Sequence, residues 1–211
     1  MIVAIEAAST DLSVALAERD GTLIADEGWT SAQRQSAELL PRLLELIERS
    51  GRSLRDTTAV AVGIGPGSFT GLRVALALGK GLAVALGRPI VGVPSLRAWL
   101  AAHPHAAAAL ARAGAREAYL LPRGDEAPRI VDGGALAALL GDARVVAPAE
   151  LATAFGLADA EAPRAAAAVA RQAAARLGDH PSGDDLHALE PIYARAPRGV
   201  TTEGEGAVRW L

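Results

Sequence analysis

Residues 65–73 read Gly65-Pro66-Gly67-Ser68-Phe69-Thr70-Gly71-Leu72-Arg73 and follow the apolar run Val60-Ala61-Val62-Gly63. A short apolar run that breaks into glycines and then resumes as a long apolar stretch is a strand-to-helix turn, the joint from which α/β sheets are built. Three glycines let the backbone reach positive φ and let another surface come close, Pro66 fixes one turn, and Ser68 or Thr70 can cap the following helix. Its amides can cradle an anion or be filled by water and the chain's own groups, and sequence leaves both open. Three known glycine motifs do not fit. A Walker A loop needs Lys and Ser or Thr after its last glycine, where Leu72 and Arg73 stand. A dinucleotide fingerprint starting at Gly63 and Gly65 needs a glycine at Ser68. A nucleophile elbow at Ser68 needs glycines where Pro66 and Thr70 stand.

The helix expected over residues 72–86 is apolar almost all round, so it needs cover on more than one side. Its charged exceptions, Arg73 and Lys80, lie about 20° apart on one stripe. Small residues recur at Gly71, Ala75, Gly79, Ala83 and Gly87, and again at Ala77, Gly81 and Ala85. Each interior glycine costs about 1 kcal/mol against alanine, and such rows permit close helix packing. The domain's own sheet accounts for one row; the second row and the charged stripe point to another chain. A membrane span is rejected, because the neutral stretch between Lys80 and Arg88 is far below the ~18–20 residues needed.

Outward from this joint, residues 2–7, 13–17 and 23–28 read as strands, with Asp20-Gly21 turning a hairpin between the second and third. A helix over 32–50, a buried strand over 59–64, the apolar helix, a strand over 89–93 and a helix from 94 or 95 follow. Such an order gives a mixed sheet flanked by helices, the arrangement of ribonuclease-H-like and actin-like ATPase lobes. Beyond residue 105 the pattern loosens, with strands near 117–121, 130–131 and 145–146 and helices over 148–155 and 164–177. The division expected is an N-terminal lobe over 1–103, a smaller C-terminal α/β lobe over 104–197 and a flexible tail over 198–211. In the first helix Leu40, Leu43, Leu44 and Ile47 form a stripe that suffices for docking on the sheet, while Leu39 and Leu46 widen the apolar arc to roughly 160°. Pro41 implies a bend or a later helix start. Two over-apolar helices in one lobe favour an oligomeric bundle over a single-chain core.

The chain has 211 residues, 51% hydrophobic, with no cysteine, four histidines and a net charge of −3. Without thiolates or an i, i+4 histidine pair, disulfides and metal catalysis are not expected. His103-Pro104-His105 reads as a solvated turn rather than a ligand pair, and Asp184-Asp185 as a solvated loop rather than a catalytic dyad. The charge argues against binding nucleic acid by electrostatics alone. Glu6 interrupts the only apolar candidate for a leader, so no leader is expected, and a cytoplasmic protein is expected.

Ile2-Val3-Ala4-Ile5-Glu6-Ala7-Ala8-Ser9, Ser36-Ala37-Glu38-Leu39-Leu40-Pro41, the run 60–63 into 65–73, and Lys80-Gly81-Leu82-Ala83 together resemble the TsaB family, also called YeaZ. The resemblance is dense over residues 1 to about 100; beyond them Arg116-Glu117-Ala118-Tyr119 and Leu189-Glu190-Pro191-Ile192-Tyr193 are similar to family landmarks. It implies an actin-like (ASKHA, ribonuclease-H-like) fold of two lobes with mixed sheets flanked by helices, and no catalysis by the chain itself. It further implies that the first two helices form a bundle with the catalytic paralogue TsaD, or with a second copy of the chain. An ATPase subunit, TsaE, joins this assembly, which moves a threonylcarbamoyl group from its adenylate to the adenosine beside the tRNA anticodon. ATP and the adenylate donor belong to the complex, and no cofactor is expected on this chain.

Mapped by motif, the partner-facing residues implied are Leu39, Leu43, Leu46 and Ile47 on the first helix, and Gly71, Arg73, Val74, Ala77, Lys80 and Gly81 on the second. The motif turn is Gly65, Pro66, Gly67, Ser68, Phe69 and Thr70. The chain departs from the family in carrying Glu6-Ala7 where an Asp-Thr pair is common, and Gln35 where histidine often precedes the serine. An actin-like ATPase or small-molecule kinase, the alternative reading, needs an acid and a glycine in that first loop, and Glu6-Ala7-Ala8-Ser9 has no glycine. A protease-like hydrolase, the third reading, finds no nucleophile–base–orienter set.

Overall fold

The computed structural model describes residues 1–32 and 34–192, so the expected tail over 198–211 and the Tyr193 landmark lie outside the described residues. The chain runs β1 (Ile2–Glu6), β2 (Asp11–Ala17), β3 (Leu23–Thr30), α1 (Gln35–Arg49), β4 (Ala59–Gly63), α2 (Phe69–Leu86), β5 (Ile90–Val93) and α3 (Ser95–Ala102). Then come β6 (Ala108–Arg112), β7 (Glu117–Pro122), β8 (Arg129–Asp132), α4 (Gly133–Leu140), β9 (Val145–Val146), α5 (Ala149–Phe155), β10 (Ala160–Glu161) and α6 (Ala166–Asp179).

The strands form two five-stranded sheets, ordered β3-β2-β1-β4-β5 and β10-β9-β6-β7-β8. In the first, β1 is antiparallel to β2 and parallel to β4, with Ile5 opposite both Val14 and Val62. Gly21 at φ 88° closes the β2–β3 hairpin at the expected Asp20-Gly21 turn, its amide donating to the Glu18 carbonyl at 3.1 Å. In the second sheet β6, β7 and β8 form an antiparallel meander, and β9 and β10 add on in parallel.

Alternation along the strands sorts the first sheet's side chains by size. Val3, Ile5, Leu12, Val14, Leu16, Val60 and Val62 join the core beneath α1 and α2, whereas Ile2, Ala4, Ala15, Ala17, Ala59 and Ala61 face the other way. On that second face lies α6, itself lined with Ala166, Ala168, Ala170 and Ala173, so small residues meet small residues and the helix can sit close. Ser13 on β2 anchors it, its hydroxyl accepting from the amides of Ala165 (3.1 Å) and Ala166 (3.0 Å). Although α6 falls within residues 104–197, its main packing is on the first sheet.

Two expectations change here. Asp184 does not sit in a merely solvated loop: its carboxylate accepts from the Gly92 amide (2.7 Å), its own amide donates to the Ile90 carbonyl (2.8 Å), and Arg176 pairs with it while donating to the Gly92 carbonyl (2.6 Å). Together these groups cover the free edge of β5 that would otherwise invite another strand. His103 likewise caps α3 and meets Glu161 at 2.6 Å through Nδ1.

Candidate functional site

The motif turn is held by its own chain. Gly65 adopts φ 90°, its amide donates to Ser95 Oγ (2.9 Å), and its carbonyl accepts from the Ser95 amide (2.9 Å). The Ser68 amide donates to the Ala8 carbonyl at 2.6 Å, and Ser68 Oγ caps α2 by accepting from the Gly71 amide at 3.2 Å. A methyl group on Gly67 would overlap the Ala8 carbonyl, and one on Gly71 the Ala7 carbonyl. These two glycines therefore serve the close approach of the turn to the β1–β2 bend, and the amides of Gly65 and Ser68 are spent on internal acceptors rather than offered to an anion.

A cleft of about 650 Å³ opens between the two sheets, bounded by Ser9 and Thr10 of the β1–β2 bend, by Ser68 and Thr70, and by Arg112 and Glu150 from the second sheet's side. Thr10 Oγ1 donates to Glu150 Oε2 across it at 2.9 Å. An actin-like nucleotide site would need an acid here to orient a metal. Glu150 on the cleft's rim is engaged by Thr10, Asp11 is buried and accepts from the Thr30 hydroxyl (2.7 Å), and Glu6 at the end of β1 is fully buried behind the bend, accepting from the Ala8 amide (2.8 Å) and the Ser95 hydroxyl (3.2 Å). Burial pushes its pKa up to about 7 despite those bonds. The residues present do not fit a metal-bound nucleotide.

Among the described residues, the outward face of α1 and α2 carries a group of exposed apolar side chains. Leu40 (37% exposed) and Leu44 (41%) stand on α1, Phe69 (46%) and Val84 (66%) on α2, with Arg73, Ala77 and Gly81 exposed and Val74 and Lys80 half-buried among them. The Arg73 guanidinium stacks over the Phe69 ring at 3.9 Å. An added methyl on Gly81 would meet nothing within 4 Å, although one on Gly79 would overlap Val62.

Five residues implied to face a partner lie elsewhere. Leu39, Leu43, Leu46 and Ile47 are buried in the chain's own core, and Gly71 faces Ala7. The docking stripe is rotated relative to the one the sequence suggested, so Leu40 and Leu44 point outward instead. Contacts with β3 set the roll of α1: the Trp29 indole donates to Glu38 (3.0 Å), Arg42 stacks on Trp29 (4.6 Å) and bonds Glu27 (2.7 Å), and Arg49 pairs with Glu27. Turning the Glu38, Arg42 and Arg49 edge toward β3 places residues 39, 43, 46 and 47 on the sheet. Pro41 neither starts nor ends the helix, and it lies on the exposed side, where the Ala37 carbonyl it leaves unpaired can meet water. By length and hydropathy alone α2 could cross a bilayer, yet its Leu72, Ala75, Leu76, Gly79, Leu82 and Ala83 face is taken up by the protein.

With this geometry in hand, a protein-family model described as TsaD, tRNA N6-adenosine threonylcarbamoyltransferase, matches residues 30–154. The chain belongs to this family, on its TsaB/YeaZ side. Over 95 residues it is 39% identical to the tRNA threonylcarbamoyladenosine biosynthesis protein TsaB of Escherichia coli, covering 45% of this chain and 40% of that protein. A tRNA N6-adenosine threonylcarbamoyltransferase from Solidesulfovibrio magneticus is 50% identical over 62 residues, 29% of this chain and 17% of the relative. The sequence match thus spans well under half the length of these curated relatives. The solved structure of YeaZ from Pseudomonas aeruginosa superposes with a TM-score of 0.69 at 23% identity, covering 91% of this chain and 98% of that one. The fold is the actin-like, ribonuclease-H-like one, with two mixed sheets flanked by helices.

Proposed function

We propose that the chain is a non-catalytic subunit that organises and activates a TsaD-type enzyme for threonylcarbamoyl transfer to the adenosine beside the anticodon in tRNA. The observation that carries this reading is the exposure, among the described residues, of Leu40, Leu44, Ala77, Gly81 and Val84 on two adjacent helices. Exposed apolar residues grouped in this way mark a surface that another protein covers. Gly81 sharpens the argument, since a helix-interior glycine with open space around it costs about 1 kcal/mol that no internal contact explains. A partner helix crossing at that point would use the space.

On this reading the α1–α2 pair packs against the corresponding helices of a TsaD-type protein, or against a second copy when that protein is absent. TsaE, ATP, the adenylate donor and tRNA enter through the assembled complex, in the cytoplasm. The test is reconstitution. Purified chain alone should neither modify tRNA nor turn over ATP, and adding it to a TsaD-type protein, TsaE, ATP and the donor should restore transfer. Co-elution with the TsaD-type protein should survive in wild type and fail in Ala77→Glu. The rival reading, an actin-like ATPase or kinase acting in the interlobe cleft, lacks a fitting acid there. Appreciable ATP turnover by the isolated chain would favour that rival.

A further inference from the structure

Glu6 is buried beyond contact with solvent and, among the described residues, touches no cation. Its Oε1 accepts from the Ala8 amide and the Ser95 hydroxyl, while Oε2 has no hydrogen-bond partner among the described residues. The Trp99 indole Nε1, also fully buried and unpartnered by geometry, lies near enough to favour the charged carboxylate. A methyl group on Gly63 would overlap Oε2, so the strand beside it is shaped to the carboxyl.

These bonds converge on the motif turn. Ser95 Oγ, donating to Glu6, accepts from the Gly65 amide; Ala8, whose amide donates to Glu6, accepts through its carbonyl from the Ser68 amide. One carboxyl is therefore linked, through one intermediary on each side, to the first residue of the turn and to the cap of α2. We propose that Glu6 is a positioning residue whose gain or loss of a proton resets the seat of the Gly65–Ser68 turn and the entry of α2. The proposal concerns this chain's own turn; its consequence for partner docking rests on the function proposed above.

The surroundings leave Glu6 as the titrating group. Its β2 neighbour in register is Ser13, and Asp11 on the same strand turns its carboxylate to the Thr30 hydroxyl at 2.7 Å. No charged side chain lies on β4 or in the turn; Arg73 and Lys80 of α2 are on its outward side. On α3, Arg97 reaches the Glu126 carbonyl, and His103 beyond its end meets Glu161. On α6, Arg176 is held by Asp184, Arg171 lies against Gly21, and Asp179 is exposed at the helix's far end. A carboxyl buried without a counter-charge resists ionisation, which places its titration near neutral pH rather than at 4.5.

The experiment is a pH series of 1H–15N spectra of the full chain from pH 5.5 to 8.5, in wild type and Glu6→Gln. The amides of Ala8, Gly65 and Ser68 and the Trp99 indole should shift together with one midpoint near 7 in wild type, and lose that transition in Glu6→Gln. Fixed resonances, or the same transition in the variant, would overturn the proposal; the second outcome would assign the titration to a histidine. Should the variant fail to fold, the carboxyl carbon of Glu6 in 13C-labelled wild type decides. A midpoint near 7 supports the inference, and one near 4.5 sinks it. Neither measurement involves a partner, so failure here leaves the docking proposal standing and failure of docking leaves this one standing.

Discussion

The inner and outer faces of the α1–α2 pair have nearly the same composition and opposite obligations. Inside, Leu39, Leu43, Leu46 and Ile47 fill the space over Val14, Leu16 and Trp29, and Gly71 and Gly79 are glycine because Ala7 and Val62 leave no room for a side chain. Outside, Leu40, Leu44 and Val84 are exposed among the described residues, Phe69 is stacked by Arg73, and Gly81 borders open space. Apolar residues at helical spacing establish that a helix is buried on some arc. They do not say which part of the arc meets its own sheet.

The contrast can be broken most forcefully on the inner side. Leu43→Asp would bury an unpaired carboxylate at a fully enclosed position, and stability should fall by at least about 4 kcal/mol, read as loss of the cooperative thermal transition. A folded Leu43→Asp protein would mean that α1 does not dock as described. Next in size is Glu6, on the opposite face of the first sheet, toward α3. Its folded pKa is raised from 4.5 to about 7, so its contribution to stability is full below 4.5 and is lost as pH rises through 7. That loss amounts to roughly 3 kcal/mol. The drop in unfolding free energy between pH 5 and pH 8 should accordingly be smaller in Glu6→Gln than in wild type by a large part of that amount.

Substitutions on the outer face should separate folding from association. Leu44→Asp should change the stability of the isolated chain by no more than about 0.5 kcal/mol, since its carboxylate would point into water. Smallest of all, Gly81→Ala should raise the melting temperature of the isolated chain, a gain of up to about 1 kcal/mol, while weakening association by intruding on a close helix crossing. Destabilisation by Gly81→Ala would show that the glycine serves the monomer after all.

How far the sequence carried these faces differs by region. The strand–turn–helix joint at 60–73, the Asp20-Gly21 hairpin and the succession of elements in the first sheet were legible, because glycines, proline and apolar runs act over a few residues. The strand β6 was not, since Ala108, Ala109 and Ala111 favour helix on propensity and become strand through pairing with β7 and β9. Nor was α4, which opens on Gly133-Gly134, capped by Asp132 accepting from the Gly134 amide at 2.9 Å. The return of α6 to the first sheet depends on Ser13, over 150 residues away in sequence, and no local pattern announces such a contact.

At the candidate site the turn was found from its glycines, yet their purpose was hidden. Gly67 and Gly71 answer to the Ala8 and Ala7 carbonyls, and the Glu6–Ser95–Gly65 chain joins residues 89 positions apart. The rotation of α1 was hidden for a related reason. Glu38, Arg42 and Arg49 look like an ordinary solvated edge until Trp29 and Glu27 of β3 are placed beside them.

The central claim is that the outer face is a docking surface and the inner one is not. Calorimetric titration of the chain into a TsaD-type protein, with wild type and Leu44→Asp compared at matched folding, tests it most directly. Wild type should bind, and Leu44→Asp should bind at least tenfold more weakly, a difference of about 1.4 kcal/mol, with an unchanged melting temperature. Equal binding by the two proteins would contradict the account.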